Sequence, residues 1–437
     1  MAHPKDRSGL SRKEFLTGAA AGAVGVGALG AVAACQNTTT PIGAGEGGAS
    51  SPLVEPKPVG PGGLPLPRPD NSVTWAITDD NQPVAEGAPV EAGPLQIYNY
   101  PDYIYPALVK KFEQQYGTKV RIATYNSADE AIAKLASGQV TFDVVMGLSG
   151  SHIVNLIAQQ LLQPLNHALL PNLARNVWPE LQDPVYDRES RYTVPYVVWS
   201  DGIGWRNDKV REDIAGMDVP WDIFWKSQAY RGKVGLLDDK RDGLSMPMQR
   251  DAMRAGERAD LNTEDSAIVA KAGRDLEQLT GICNIKVTIT DYQTLPEGKT
   301  VLHHSWSGDL IGAAIYYLPP KVSPEVLSFW SPDRDGVVQN DFFCIGRTSA
   351  NPALAHRFID FMLDEQNAYS NFVNQNGYIP PQQAIDADAL IRRGLIPRTL
   401  AGAVTRPEQF AFNQALLQLS VEGERAWDAA WSKFKAG

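Results

Sequence analysis

Histidine and cysteine are scarce in the sequence, and common nucleotide-binding and hydrolase motifs are missing from it. The 437 residues include six His and three Cys, and only His303 and His304 lie close together. Successive side chains of a strand point to opposite faces, so this pair does not supply a metal site by itself. No Gly-rich loop with Gly-Lys-Ser/Thr and no G-x-G-x-x-G occurs, and GLSGS at residues 147–151 lacks the spacing of a G-x-S-x-G elbow. We therefore expect no metal ion and no cofactor, and these motifs supply no catalytic residue.

Positive charge and long apolar runs are also in short supply. Lys and Arg number 40 against 50 Asp and Glu, which gives a net charge of −10. Phosphate contacts need clustered Lys and Arg, so nucleic acid is not an expected partner. After residue 34 no stretch reaches about eighteen consecutive apolar residues, so we expect no later membrane span. The ten Trp, fifteen Tyr and thirteen Phe nevertheless exclude wholesale disorder.

Residues 1–34 have the layout of an export signal, with a basic segment, an apolar stretch and small residues before a cleavage point. The segment SRKEFL at residues 11–16 resembles a twin-arginine signal in which Lys13 replaces the second Arg. VAAC at residues 32–35 resembles the lipobox of bacterial lipoproteins, which makes Cys35 the expected lipid attachment site. We expect an exported protein, held by lipid in the periplasm or on the outer face of the cell membrane. The alternative is an uncleaved membrane helix over residues 15–34, which its weak Ala/Gly-rich hydrophobicity disfavours.

Export leaves two possibilities for the other cysteines. Cys283 and Cys344 pair in an oxidising compartment, or they stay as two buried free thiols. Their separation along the sequence does not decide between these outcomes, because pairing depends on geometry.

Residues 35–93 are predicted to form the lipid anchor and a flexible linker. The stretch from 36 to 93 contains ten Pro and nine Gly with hardly any periodic apolar pattern. Such a composition buries no core of its own and behaves as a semi-extended tether. Residues 72–77 are more strand-like, so Trp75 either packs back onto the body or stays in solvent.

From Leu95 onward the sequence alternates between predicted strands and helices. The predicted strands cover residues 95–99, 120–125, 142–146, 192–199, 233–237, 301–306 and 341–345. The predicted helices include 106–115, a helix capped by Ser127 that closes at Gly138, and 351–368. This alternation predicts an α/β protein with a mainly parallel sheet, whose ligand site lies at the carboxyl ends of the strands.

Aromatic and acidic residues cluster at five of these strand ends, within residues 98–103, 236–242, 304–309, 340–343 and 376–381. A buried ammonium group needs carboxylates in place of its lost hydration, and aromatic ring faces attract it. The methylene chain between two ammonium groups needs apolar walls, which Tyr and Trp rings supply. These clusters therefore indicate a site for a small organic polycation.

These motifs resemble those of the spermidine/putrescine-binding proteins of bacterial ABC importers. NYPDY at residues 99–103 is similar to the family's Asn-Trp-Ser/Thr-Asp/Glu-Tyr, and WSGD at 306–309 matches its Trp-x-Gly-Asp turn. Tyr in place of Trp, Pro101 in place of a hydroxyl residue and Gln339 in place of an aromatic bear on the choice of polyamine. The resemblance implies ten ligand contacts: Tyr100, Asp102, Tyr103, Ser149, Asp239, Asp242, Trp306, Asp309, Asp341 and Tyr378. Gln418 is the nearest candidate for a further glutamine of the family.

The resemblance also implies the type II periplasmic-binding-protein fold, in which two α/β lobes joined by a hinge close on a ligand cleft. Lobe 1 is expected to comprise residues 94–199 and 341–385, and lobe 2 residues 200–340 and 386–437. The implied function is polyamine capture and delivery to ABC permease subunits by a monomeric protein that is not an enzyme and contacts the membrane only through its lipid.

Two other functions fit the same residues. Tyr98, Tyr100, Tyr103 and Tyr105 with nearby acids offer hard oxygen ligands for ferric iron or another cation. A surface-anchored enzyme that uses two of the cleft carboxylates is the second alternative.

Overall fold

The computed structural model describes residues 63 and 65–437. Its strands are β1 (Leu95–Asn99), β2 (Val120–Thr124), β3 (Val144–Ser149), β4 (Leu162–Gln163), β5 (Val194–Arg206), β6 (Val234–Leu236), β7 (Lys286–Val287), β8 (Leu302–Trp306), β9 (Leu327–Trp330) and β10 (Val338–Gly346). The predicted strands therefore exist at the predicted places, although β5 runs on from the predicted strand at 192–199 to Arg206.

The α-helices lie between these strands and after them. They are α1 (Pro106–Tyr116), α2 (Ala128–Ala136), α3 (Gly150–Ala158), α4 (Pro171–Asn176), α5 (Lys240–Ala255), α6 (Ser266–Cys283), α7 (Asp291–Thr294), α8 (Ser307–Gly312), α9 (Pro352–Met362), α10 (Glu365–Asn371), α11 (Ala387–Arg392), α12 (Gln409–Phe412) and α13 (Val421–Ala436). Short π-helical turns follow α8 and α10, at Ala313–Tyr317 and Phe372–Asn376.

The strands form a mixed sheet with the order β2-β1-β3-β10-β5-β8-β6-β7. Pairing is parallel between β1 and its neighbours β2 and β3, and between β6 and its neighbours β7 and β8. Strand β10 runs antiparallel to its neighbours β3 and β5, and β5 also runs antiparallel to its other neighbour, β8. The prediction of a mainly parallel sheet was wrong for this reason: two long strands pass through the middle in opposite directions.

Strand β5 joins two halves of the sheet, and each half forms the centre of one α/β lobe. Its residues up to Ser200 pair with β10, while Asp201 and those that follow pair with β8 and β9. All thirteen residues of β5 are buried. Helix α13 lies against α6 in the second lobe, where Trp427 is buried and its Nε1–H donates to the carbonyl of Thr263 at 3.0 Å. The predicted boundaries of the two lobes stay predictions.

Local capping explains where several helices begin and end. The Ser127 side chain accepts from the backbone N–H of Glu130, which confirms the predicted start of α2. Gly117 adopts a left-handed conformation directly after α1 and ends that helix. The single helix predicted over residues 351–368 was wrong, because Asp364 accepts from two following backbone N–H groups and starts a new helix, α10.

The part of the predicted linker that the structure describes lies against the body. The Trp75 Nε1–H donates to the carbonyl of Tyr186 at 2.8 Å, and Arg191 donates to the carbonyl of Trp75. The prediction that this segment packs back is therefore confirmed. Arg68 donates to the carbonyl of Gln418, next to α13. These contacts fix residues 65–93 to the folded body although they contain no helix or strand.

Cys283 and Cys344 are buried free thiols, and the Cys283 thiol donates to the carbonyl of Leu279. In the part of the chain from residue 65 onward, no helix combines the length and hydrophobicity needed to cross a membrane. The predicted signal over 1–34 and the lipid site at Cys35 lie outside the described residues.

Candidate functional site

A cavity of about 240 Å³ lies between the two lobes. All ten residues predicted to contact a ligand line it: Tyr100, Asp102, Tyr103, Ser149, Asp239, Asp242, Trp306, Asp309, Asp341 and Tyr378. Pro101 and Gln339 line it as well. The structure thus gathers residues from all five predicted clusters around one space, although Asp341 lies inside β10 and Tyr378 follows a π-helical turn instead of a strand. The contact of these residues with a ligand stays a prediction.

On the side of the first lobe, Asp341 is held by two aromatic donors. The Tyr103 hydroxyl donates to one carboxylate oxygen at 2.6 Å, and the Trp199 Nε1–H donates to the other at 3.0 Å. Burial raises the pKa of Asp341 to about 6, although both hydrogen bonds lower it. Trp199 was missed by sequence reasoning, although it is the last residue of the strand predicted over residues 192–199; in the structure it lies inside the longer strand β5.

On the side of the second lobe, Asp239 and Asp242 begin helix α5. The Asp239 side chain is the N-cap and accepts from the backbone N–H groups of residues 241 and 242. Trp306 donates its Nε1–H to Asp242 Oδ2 at 2.9 Å, which ties the end of β8 to this helix. Asp238, whose carboxyl pairs with Lys435 instead, lies outside the cavity.

A hydrogen bond joins two residues of the cavity lining that are far apart in the sequence, Tyr378 and Asp309. The Tyr378 hydroxyl donates to Asp309 Oδ1 at 2.8 Å, and Tyr378 follows the end of α10 and its π-helical turn. The Tyr378 ring lies directly on Gly308, where any Cβ would collide with it. This contact gives a physical reason for the glycine in the WSGD turn.

Asp102 lines the cavity together with two tyrosines that the sequence reading missed, Tyr292 and Tyr317. Asp102 occupies a left-handed turn after β1, with φ 58°, and Tyr317 donates to its carboxylate at 3.5 Å. Tyr292 packs edge-on against Tyr317, with ring centroids 5.1 Å apart. Tyr292 lies just beyond the end of β7, so a strand-end search could have found it. Tyr317 lies in an irregular π-helical turn, for which the sequence carries no signal.

Negative charge dominates the cavity. Its lining includes five aspartates, at positions 102, 239, 242, 309 and 341, and Arg241 is the only Lys or Arg that the described part of the chain contributes to it. The Arg241 guanidinium is already engaged by Leu417, Leu261 and Asn262 and stacks on the Trp427 ring. His152 also lines the cavity, but burial lowers its pKa and favours the neutral ring. The Arg241 charge attracts Asp239 and Asp242, but its hydrogen bonds go to the partners named above, so among the described residues at most one cation offsets the five acids of the lining.

The four tyrosines considered as iron ligands do not converge. Tyr98 is buried in the core, stacked on Phe142 with centroids 4.2 Å apart, and neither Tyr98 nor Tyr105 lines the cavity. Burial raises the pKa of Tyr100 and Tyr103, which disfavours the phenolate that ferric iron binds. Among residues 63 and 65–437, no three His, Cys, Asp or Glu side chains are grouped to hold a metal ion.

Gln418, the candidate for a further glutamine of the family, lies outside the cavity. The Gln418 amide donates to the carbonyl of Leu419 at 3.3 Å and to Glu424 at 3.4 Å, and Gln418 does not line the cavity. Leu416 is the residue of this segment that lines it. The sequence pattern does not reveal which side chain of this segment, just before α13, reaches the cavity.

The chain is similar to known solute-binding proteins along most of its length. Residues 107–394 match the bacterial extracellular solute-binding protein family. The putrescine/cadaverine-binding protein of Pseudomonas aeruginosa is 27% identical over 346 residues, covering 78% of this chain and 93% of the relative. The spermidine/putrescine-binding periplasmic protein of Salmonella typhimurium is 24% identical over 347 residues, covering 78% and 92%.

A solved structure shows the same fold. The spermidine/putrescine ABC transporter substrate-binding protein of Streptococcus pneumoniae superposes with a TM-score of 0.61 at 22% identity, covering 78% of this chain and 98% of that one. The body therefore has the type II periplasmic-binding-protein fold, as predicted, with two α/β lobes about a cleft.

Proposed function

We propose that this chain, which belongs to the bacterial extracellular solute-binding protein family, captures a polyamine of the putrescine and spermidine class. The ligand binds in the cavity between the lobes, and the closed protein delivers it to an ABC permease. The observation that carries the proposal is a cavity with five aspartates and no free cation of the described residues. We infer no catalytic step, so the aspartates bind and do not react.

The aromatic lining supports a ligand with a hydrocarbon chain between its charges. Tyr100, Tyr103, Tyr292, Trp306 and Tyr378 all line the cavity. Ring faces attract ammonium groups, with a gain of about 1 to 2 kcal/mol where the cation is partly desolvated, and ring bodies shield methylene groups from water. Several such contacts with the carboxylates are sufficient for micromolar affinity, about −8 kcal/mol.

The similarity to characterised relatives supports the same ligand class. The curated relatives are named for binding putrescine, cadaverine or spermidine, and those from Pseudomonas and Salmonella align over nearly their whole length. Tyr100 in place of Trp and Gln339 in place of an aromatic reduce the apolar wall. We therefore propose the class of ligand and leave the ranking of polyamines to measurement.

Ligand binding favours the closed state because the acids lie on both lobes. Asp102 follows β1 and Asp341 lies in β10, in one half of the sheet, whereas Asp239, Asp242 and Asp309 follow β6 and β8 in the other half, which corresponds to the proposed division into lobes. Without a ligand these carboxylates repel each other across the cleft, whereas a dication attracts both sides. The ligand thus binds the closed form more tightly and shifts the population towards it.

Calorimetric titration tests the proposal. We expect the exported chain, prepared with Cys35→Ser, to bind one putrescine, spermidine, spermine or agmatine per chain with affinity of about micromolar order. Ferric iron and a neutral amino acid serve as controls and should give no saturable heat. Saturation by iron with a coloured complex, or catalytic turnover of a polyamine, would contradict the proposal.

We further propose that a lipid on Cys35 holds the protein at the membrane surface. Cys35→Ala is expected to shift the protein from the membrane fraction to the soluble fraction of cells, because the acceptor thiol is lost. Cys283→Ala is the matched control, since this thiol is buried in the body. Equal membrane association of the Cys35→Ala protein and the wild type would refute the anchor.

A further inference from the structure

Two buried aspartates outside the cavity lining lie behind two of the cavity acids. Asp201 and Asp291 are fully buried, and both oxygens of each carboxyl have no hydrogen-bond donor among the described residues. Asp201 is paired in register with Trp306, whose indole N–H donates to Asp242, and Asp291 starts helix α7, which packs against the helix α8 that contains Asp309. The carboxyl group of Asp201 interacts electrostatically with that of Asp242, and the carboxyl group of Asp291 with that of Asp309. The molecule therefore contains two pairs of facing carboxyl groups, each with one member at the cavity wall.

The Asp201–Asp242 pair lies where β5 leaves β10 and joins β8. Asp201 is paired in register with Trp306 across β5 and β8, and Trp306 donates to Asp242 Oδ2. The second oxygen of Asp242 has no donor among the described residues. Three carboxyl oxygens thus share one buried space without a donor, a costly arrangement unless a proton or a cation lies between them.

No protein cation supplies that charge. The His304 ring nitrogen Nε2 lies 3.5 Å from Asp201, but burial lowers the pKa of His304 to about 3 and keeps the ring neutral. The titratable groups that face the two pairs are Asp239, Arg241, Tyr100, Tyr292, Tyr317, Tyr378, His303 and His304. Among them only Arg241 is a permanent cation, and its guanidinium donates to other partners.

We propose that each pair holds one shared proton in the ligand-free protein and that a bound diammonium ligand displaces both protons. Each ammonium group then faces two ionised carboxylates, one at the wall and one behind it. The O–H bond of the protonated carboxyl breaks and its proton leaves to solvent, while the ligand keeps its own protons. Asp201 and Asp291 are thus positioning residues that supply the second negative charge at each end of the ligand.

The direction of the pKa shifts agrees with this geometry. Burial raises the pKa of Asp201, Asp242 and Asp309 well above the ordinary carboxyl value, and the facing acid raises the pKa of Asp242 and Asp309 further. An ammonium group between the carboxyls favours their ionised form and lowers these pKa values again. Linkage then requires that polyamine affinity rise with pH until the pairs are already ionised in the free protein.

This inference rests on the proposed polyamine binding and is tested by counting protons. Titrations with putrescine in buffers of different ionisation enthalpy, between pH 5.5 and 8, give the number of protons released per ligand bound. We expect the wild type to release up to about two, and Asp201→Asn and Asp291→Asn to release about one fewer each. Asp238→Asn, an exposed acid paired with Lys435, should release as many as the wild type.

The thermal midpoint of the ligand-free protein gives a second readout. A raised carboxyl pKa in the folded state means that stability is lost as pH rises through that raised value, and an amide at the same place avoids this loss. The midpoint of Asp201→Asn should therefore exceed that of the wild type at pH 7.5, with a smaller difference at pH 5. A thermal midpoint of Asp201→Asn below that of the wild type at both pH values would indicate that Asp201 has a purely structural role.

The outcomes separate the inference from the proposed function. No saturable heat with any polyamine would refute polyamine binding itself. Binding with no proton release by the wild type at any pH would refute the shared protons and leave polyamine binding intact. If Asp201→Asn or Asp291→Asn fails to fold, the number of protons released by the wild type and by the other variant still tests whether the carboxyl pairs share protons.

Discussion

Asp309→Asn is expected to weaken polyamine binding at least tenfold, about 1.4 kcal/mol, without unfolding the protein. Asp309 lines the cavity and is nearly buried, so its charge acts on the ligand with little screening by water. Removing one partner of a buried charge pair commonly costs about 2 to 5 kcal/mol. Asparagine retains an oxygen that accepts from the Tyr378 hydroxyl, so the contact between the lobes survives while the charge is lost.

The comparison that isolates the charge is Asp309→Asn against Asp238→Asn, with putrescine titrated at pH 7.5. Both changes remove one carboxylate, but Asp238 pairs with Lys435 on the surface and does not line the cavity. The control should bind as the wild type does, because charge at this distance is screened by salt. Equal affinity of Asp309→Asn and the wild type would remove Asp309 from the site.

The strand-end rule explains why the cavity wall could be predicted from the sequence. Tyr100 and Asp102 follow β1, Asp239 follows β6, and Asp309 follows β8. Within each half of the sheet the carboxyl ends of parallel strands lie at the same edge, and the cavity is lined by such ends from both halves. Side chains that are distant in sequence can therefore be predicted to lie close together before their contacts are known. The cavity residues whose positions follow from the ends of predicted strands could therefore be predicted from the sequence.

The acids behind the wall could not be found in the same way. Asp201 lies inside the continuous strand β5, and Asp291 starts the four-residue helix α7. Neither position carries a motif, and the sequence does not show which acid faces which across the fold. Strand β5 runs antiparallel to both of its neighbours, β10 and β8, and this pairing places Asp201 behind Asp242. The pairing joins residues that are far apart in the sequence, so the sequence pattern does not show it.

The break between helices α9 and α10, in contrast, does have a signal in the sequence, which the prediction of one helix over residues 351–368 did not take into account. Asp364 accepts from the N–H groups of Gln366 and Asn367, and this starts a new helix where an unbroken one was predicted. An Asp at such a position is a common helix start. The apolar periodicity on both sides hid the break, because both helices pack on the same lobe.

Gly308→Ala is expected to weaken polyamine binding about a hundredfold, roughly 2.8 kcal/mol, because it prevents the lobes from meeting at Tyr378. A Cβ on Gly308 would collide with the Tyr378 ring. That ring cannot move aside freely, since its hydroxyl is bonded to Asp309 and its edge packs against Tyr103 with centroids 5.5 Å apart. Alanine favours the helical conformation of α8, so the second lobe itself should fold normally.

A double-mutant cycle with Tyr378→Ala identifies the ring as the cause. Tyr378→Ala alone loses the hydrogen bond to Asp309 and one aromatic wall, but it leaves room for a Cβ at Gly308. In that background Gly308→Ala should have almost no further effect on affinity, so the two changes are strongly coupled. Gly281→Ala in α6, where an added Cβ meets nothing within 4 Å, is the matched glycine control and should bind as the wild type does. If Gly308→Ala still weakened binding about a hundredfold without the Tyr378 ring, the effect would arise within the second lobe, and closure against Tyr378 would not be its cause.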